Sequence, residues 1–434
     1  MRYQPLPAKF YVKNRQNLGK QLKSKSIAVI HTNDEYPRNG DQYFSYKQSS
    51  DFFYYTGLEQ KDGVLVICPD HPSELRREML FCQAPDEKTG VWEGSRYSKD
   101  KIREITGVKT VFWMDSYENV LKDLMVHCEL VYLNANENPK FLPELESRDE
   151  RMGKRMKEEY PLHRYFRLAP LIVNQRLVKK NEEIKQIQTA CNITGNAFKR
   201  LLSLVVPGIR EYEIEAEITR DFLRQGASRH AYPPIIAAGA NSCILHYTKN
   251  DQVCRSGDLL LLDFGAEYGN YASDCSRTIP VNGKFSTKQA KYYQAVLSVF
   301  KAAKEMLTPG TTIDEFHKKV CRLLEQEMLK LRLITENEIA SPPAEKPAYF
   351  KYYMHGSSHF IGLDVHDPGD KNITLKKGMV VSCEPGLYIP EENIGIRIEN
   401  TIKVDKTPVD LMSNIPLEIN EIEILMQKKG KGVF

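Results

Sequence analysis

The first half of the chain alternates short apolar runs with amphipathic stretches. "SIAVIHT", "GVLVICP", "EMLFCQ" and "CELVYLNA" have strand length, are rich in branched and aromatic residues, and are bounded by turn formers. "SKDKIREITG" and "SYENVLKDLMVHC" instead return apolar residues at the helical period. Strands interleaved with helices predict an α/β domain, its parallel or mixed sheet covered by helices. A charge-dense passage, "ESRDERMGKRMKEEYPLHRYFR", follows and reads as a solvated helix or linker. The expected division is therefore an N-terminal domain over 1–175 and a second domain over 176–434.

The second half opens with a long helical pattern, "NEEIKQIQTACNITGNAFKRLLSLV", for which Asn181 is the expected cap, with acids in the first turn. Two passages there are alike. "FKRLLSLVVPGIREYEIEAEITRDFL" and "FKAAKEMLTPGTTIDEFHKKVCRLL" are each helix, Pro-Gly break (Pro207-Gly208, Pro309-Gly310), helix. Each leads into β-rich sequence carrying histidine, "IIAAGANSCILHY" and "YYMHGSSHFIGLDVHD". This predicts an internal duplication of a helix–helix–strands unit. "SPPAEKPAYF" lengthens the second copy and predicts a surface loop.

Composition narrows the field. A chain of 434 residues exceeds one ordinary core, in keeping with two domains. The 41% apolar and 27% charged fractions describe a globular protein, and the net charge of +4 gives no argument for nucleic acid or an anionic membrane. The N-terminus "MRYQPLPAKFYVKN" lacks the apolar run of a secretory signal, and the longest aliphatic run, Leu259–Leu262, is far short of a membrane span. The 9 cysteines form no CxxC pair and are odd in number, which argues against a zinc ribbon or disulfide scaffold and for free thiols in a reducing cytoplasm.

The chemistry concentrates in three places. In "LLLLDFGAEYGNYASDCSRTIP" an apolar strand ends at Asp263, and a second β-like run follows Asp274. A hairpin turning at Tyr268-Gly269 would set Asp263 directly opposite Asp274. Facing carboxylates destabilise a sheet unless one is protonated or a cation lies between them. "GMVVSCEPGLYIPEENIGIRIENTI" offers a second pair, Glu384 and Glu399, with Arg397 on the face of Glu399 and a return turn around "PEENIG" to bring the pair together. "MHGSSHFIGLDVHDPG" supplies His355 and His359, four apart and so on one side of a helix or strand, then His366 with Asp364 and Asp367, and the matching stretch of the first copy ends at His246. Carboxylates with imidazole and no thiolate suit Mn²⁺, Co²⁺, Zn²⁺ or Fe²⁺ in a catalytic rather than a structural site. Four acids and a histidine exceed what one small open-sided cation needs, which favours two metals and hydrolytic chemistry.

In that order, "LLLLDFGAEYGNYASDCSRTIP", "HGSSHFIGLDVHDPG", "CEPGLYIP" and "IGIRIEN" resemble the pita-bread dinuclear metallopeptidases, and within them the aminopeptidase P family. "QYFSYKQSSDFFYYTGLEQKDGVLVI" resembles that family's N-terminal domain, with Lys47 where an arginine is more usual. The resemblance implies an α/β N-terminal domain followed by an α+β pita-bread catalytic domain with internal duplication. It implies release of the first residue from peptides with proline second, by attack of a metal-bridged hydroxide on the scissile carbonyl. Asp263, Asp274, His359, Glu384 and Glu399 would be the metal ligands, with Asp274 and Glu399 bridging and Glu384 also the proton acceptor. His246 and His366 would contact substrate and assist catalysis, and His355 and Arg397 would support the substrate site. Tyr232 would hydrogen-bond a ligand carboxylate, while Asp364 and Asp367 fall to the local turn. Two divalent ions, Mn²⁺ by family habit, and a homodimer or homotetramer are further implications. An Xaa-Pro dipeptidase shares fold and ligands and stays open at this point, as, more distantly, does a metal-free binding module on the same fold.

Overall fold

The computed structural model describes residues 2–138, 145–342 and 346–427. The chain divides into two compact units, Pro5–Arg176 and Met1–Gln4 with Leu177–Phe434.

The first unit is built on a six-stranded mixed sheet in the spatial order Thr110–Trp113, Glu78–Cys82, Val64–Ile67, Ser26–His31, Leu130–Leu133, Arg164–Arg167. Period-two alternation sends Ile27, Val29, Val64, Val66, Met79, Phe81 and Val131 to one face. There they pack against Tyr117, Leu121 and Leu124 of the helix Tyr117–His127. Ala28, Ile30, Leu65 and Leu80 on the opposite face are equally buried, so both faces are covered. Arg15 closes the far side from within the core. Its guanidinium donates to the last-turn carbonyls of Tyr55 (2.6 Å) and Thr106 (3.0 Å) and to Glu78 (2.9 Å), satisfying two helix C-termini at once.

The charge-dense passage is more than a linker. Ser147 and Glu150 form a capping box that starts the helix Arg148–Glu159, which buries Met156. Arg164–Arg167 then joins the sheet as its edge strand, pairing parallel with Leu130–Leu133.

In the second unit both Pro-Gly breaks join antiparallel helix pairs: Asn181–Leu204 with Glu211–Arg224, and Thr287–Lys304 with Ile313–Lys330. Asn181 is the first helical residue rather than the cap. The cap is Lys180, whose backbone N–H donates to Glu183 at 2.9 Å. Each helix pair leads to the same β arrangement. Leu259–Asp263 pairs with Ser276–Pro280 around an inner hairpin, Ala266–Tyr268 with Tyr271–Ala272. Val380–Cys383 pairs with Asn400–Lys403 around another, Gly386–Ile389 with Ile394–Arg397. The two copies meet through the bridge Ser276↔Glu399, so acids from both halves converge on one seam. Of the expected surface loop, 343–345 lies outside the described residues, and its end forms the short helix Ala348–Lys351 with Ala348 buried. Among the described residues no helix is long and apolar enough to cross a membrane.

Candidate metal centre

Backbone register decides which acids meet. The first hairpin turns at Gly269-Asn270, with φ of 58° and 66°, rather than at Tyr268-Gly269. A tight two-residue turn of this hand needs both central residues at positive φ, which glycine and asparagine adopt and tyrosine resists. Asp263 consequently lies opposite Ser276, and Asp274 is its diagonal neighbour, not its direct partner. Tyr232 closes the gap, its hydroxyl 2.7 Å from Asp263 Oδ1 and 2.6 Å from Asp274 Oδ1. A phenol has one proton to give, so two such contacts call for a second proton or a cation at the pair. In the other copy, Cys383↔Asn400 and Gly386↔Arg397 frame Glu384 and Glu399 as the pair between them.

Serines fix the carboxylates. Ser276 Oγ donates to Glu399 Oε2 (2.7 Å) and accepts from Arg397 Nε (2.9 Å). Ser382 Oγ donates to Glu384 Oε1 (2.9 Å) and accepts from the His359 N–H (2.9 Å). Arg397, buried, spends its remaining donors on Asp263 Oδ2 (2.5 Å) and the Tyr388 hydroxyl (2.8 Å). It therefore stands as the counter-charge of Asp263 in the wall of the site.

The histidines lie on neither a helix nor a regular strand; 354–359 is irregular backbone, and the four-residue spacing does not place them. His359 is aligned by Phe360, which bridges to Val381. Its Nδ1 lies 3.1 Å from the Phe360 carbonyl, which fixes the proton there and leaves the Nε2 lone pair facing Asp274 Oδ2 (3.2 Å) and Glu384 Oε1 (3.6 Å). His355 Nδ1 donates to the Gly356 carbonyl (2.7 Å), and its Nε2 accepts from Tyr388 (2.8 Å). Burial first, and then the Arg397 charge, push its pKa down to about 3, so this ring is neutral. His366 is exposed and stands edge-on to His359, ring centres 4.4 Å apart. His246, also exposed, follows the short helix Gly239–Cys243, near enough for its charge to act on His355.

Burial raises the carboxyl pKa of Asp263 against the pull of Arg397, and that of Glu384 against the pull of His359. Glu399 is raised well above the carboxylate range, by burial and then by Asp274, Glu384 and Asp263. Four acids thus crowd one guanidinium in a largely buried seam, and Glu399 Oε1 is buried with no hydrogen-bond partner. Donor atoms of Asp274, His359 and Glu399 all lie within 4.8 Å of one another, a group able to hold a metal ion. Asp263 and Glu384 flank it. Hard oxygens with one imidazole and an orphaned carboxylate oxygen fit divalent cations.

Tyr388, Ser276 and Ser382 were not expected. Single hydroxyls carry no periodic or spacing signal, and only the hairpin pairing brings them to the acids. Asp364 does sit in the turn after His359, but Asp367 is buried and ion-paired to Lys179, a partner outside its turn.

Metallopeptidase family M24 matches residues 185–406, and the aminopeptidase P N-terminal domain matches residues 11–132. The Xaa-Pro aminopeptidase of Escherichia coli (strain K12) is 34% identical, over 96% of this chain and 97% of its own. Xaa-Pro aminopeptidase 3 of Homo sapiens is 29% identical over 93% of this chain and 81% of its own. Among solved structures, Pseudomonas aeruginosa aminopeptidase PepP superposes with a TM-score of 0.89 at 32% identity, covering 98% of this chain and 99% of that one. Zn-substituted E. coli aminopeptidase P in complex with product gives 0.88 at 32%, covering 99% and 100%. The chain belongs to metallopeptidase family M24 and is a metal-dependent peptidase whose catalytic unit follows an aminopeptidase P N-terminal domain.

Proposed function

We propose that the protein is an Xaa-Pro aminopeptidase, releasing the first residue of peptides whose second residue is proline. The observation that carries this reading is the convergence of Asp274, His359 and Glu399, flanked by Asp263 and Glu384, in a chain whose full-length relatives bear that activity in their names. These five side chains would hold two divalent ions. Mn²⁺ is the ion the family resemblance implies, and the donor set accommodates it with Co²⁺, Zn²⁺ or Fe²⁺; the Zn-substituted relative supports a site open to more than one metal. Bound ions would supply Lewis acidity, lowering the pKa of a water and polarising the scissile carbonyl.

The chain's own groups do the rest. Glu384, pinned through Oε1 by Ser382, takes the proton of the attacking water at Oε2. His246 and His366 face solvent at the rim and donate to the oxygen that gains charge. Neutral His355 forms the wall, locked by Tyr388 and Arg397. The compartment we infer is the cytoplasm, and the assembly a homodimer or homotetramer. The function is tested by supplying Mn²⁺ and following Xaa-Pro dipeptides against Xaa-Pro-Yaa tripeptides by mass spectrometry. Loss of the first residue from the tripeptides is expected; cleavage of the dipeptides alone would overturn the reading.

A further inference from the structure

Next to the substrate-side histidine lies a buried ion pair with no place in the metal chemistry. Lys179 Nζ donates to Asp367 Oδ2 at 2.9 Å, and each side chain is 1% exposed. Lys179 stands just before the helix Asn181–Leu204, and Asp367 directly follows His366. The segment between Phe360 and Asp367 closes around this carboxylate. Asp367 N–H donates to the Phe360 carbonyl (2.9 Å), Asp364 N–H donates to Asp367 Oδ1 (3.3 Å), and Gly362 N–H donates to the Asp364 carbonyl (3.0 Å). A Cβ on Gly362 would stand 2.5 Å from Asp367 Oδ2, so the segment wraps the charge as closely as a backbone can. At its start it is tied to the seam from both copies. The Gly362 carbonyl accepts from Ala272 N–H (2.8 Å), two residues before Asp274, and Ile361 N–H donates to the Val380 carbonyl (2.9 Å). Lys179 is anchored in turn, its N–H donating to the Gly378 carbonyl at 3.0 Å.

Taking two charges out of water costs several kcal/mol per ion, and apolar replacements of such pairs are often no less stable. Stability is therefore a poor reason for this pair, and its geometry a better one. Asp367 is buried and His366 exposed, so fixing Asp367 fixes where the neighbouring ring stands against His359. We propose that Lys179 is a positioning residue which, through Asp367, sets the imidazole of His366 against the carbonyl of the bound peptide. This rests on the reading of His366 as a substrate contact.

The test is a double-mutant cycle in the metal-loaded enzyme. Lys179→Met, Lys179→Arg and the charge-free pair Lys179→Met/Asp367→Asn are each made with His366 intact and as His366→Ala. The double variant removes both charges of the pair together and stands in should Lys179→Met fold poorly. Metal content, kcat and KM are measured with one Xaa-Pro-Yaa tripeptide. With His366 intact, kcat/KM should fall by about 10- to 100-fold at unchanged metal content, the cost of a misplaced contact, and Lys179→Arg should recover most of it. In the His366→Ala background the same changes should add nothing. Equal losses in both backgrounds, or no loss in the charge-free variant, overturn the proposal. Full activity in His366→Ala alone overturns instead the reading beneath it.

Discussion

Replacing Arg397 by methionine tests whether the acid seam is held by charge balance. Arg397 is 4% exposed and donates to Asp263 at 2.5 Å, Tyr388 at 2.8 Å and Ser276 at 2.9 Å. Methionine fills most of the volume and supplies no donor, leaving Asp263 as a buried carboxylate without its cation. Breaking a buried pair from one side costs about 3–5 kcal/mol. For a domain of this size that is a fall in Tm of about 6–20 °C, at about 2–4 °C per kcal/mol. A divalent ion on Asp263 replaces much of the lost charge, so the loss should shrink in the metal-loaded form, and the rise in Tm on loading should be larger in the variant than in the wild type. Calorimetry is the assay of choice, because both tryptophans, Trp92 and Trp113, lie in the first unit and their fluorescence does not report on the second. Metal-stripped Arg397→Met melting within about 2 °C of wild type, or losing equally in both forms, would refute the argument that this guanidinium balances the ligand acids.

Three further predictions follow from the same geometry. Asp263, Glu384 and Glu399 have folded pKa values raised above their unfolded ones, so each opposes folding when ionised: the penalty is absent below the unfolded value of about 4, grows as pH rises through the folded value, and is complete above it. Metal-stripped protein should therefore melt higher as pH is lowered from neutral toward about 5, while metal binding weakens over the same range because it must expel those protons; a stripped Tm that is flat or falling across that window would contradict this. Glu384→Gln should lower kcat by about 10²-fold or more and reduce metal occupancy, measured on the same tripeptide; near-normal kcat would remove the proton-acceptor role. Arg15→Met should destabilise the first unit by about 3–5 kcal/mol, by stranding Glu78 and two helix-end carbonyls, and urea unfolding followed by tryptophan fluorescence should shift to lower concentration; an unshifted midpoint would contradict that role.

What sequence could reveal depended on how local the cause was. Ser26–His31, Val64–Ile67, Glu78–Cys82 and Leu130–Leu133 have apolar centres between turn formers, and the chain declares them. Arg164–Arg167 joins the same sheet at its edge, where arginines at both ends and partial exposure hide a strand inside a charged passage. The duplication was visible because Pro-Gly punctuates both helix pairs at one position. The hairpin register was missed by two residues, since it turned on whether Tyr268 or Asn270 takes a positive φ. Asp263 and Glu384 are legible because each follows an apolar run as an abrupt charge. The groups that align them are not, because Ser276, Ser382 and Tyr388 reach their partners only through pairing between strands. Asp367 is legible as a turn residue, which it is through Asp364, but not as half of an ion pair, for the same reason. Its partner, Lys179, is 188 positions away along the chain.

The most direct test of the account is a metal titration of the stripped enzyme, with cleavage of an Xaa-Pro-Yaa tripeptide and bound metal per chain followed together. If the five proposed ligands hold two ions, activity rises with added Mn²⁺, saturates at about two ions per chain, and is lost with the metal in Glu399→Ala. Full activity in the stripped enzyme, or saturation without metal bound at Glu399, would contradict it.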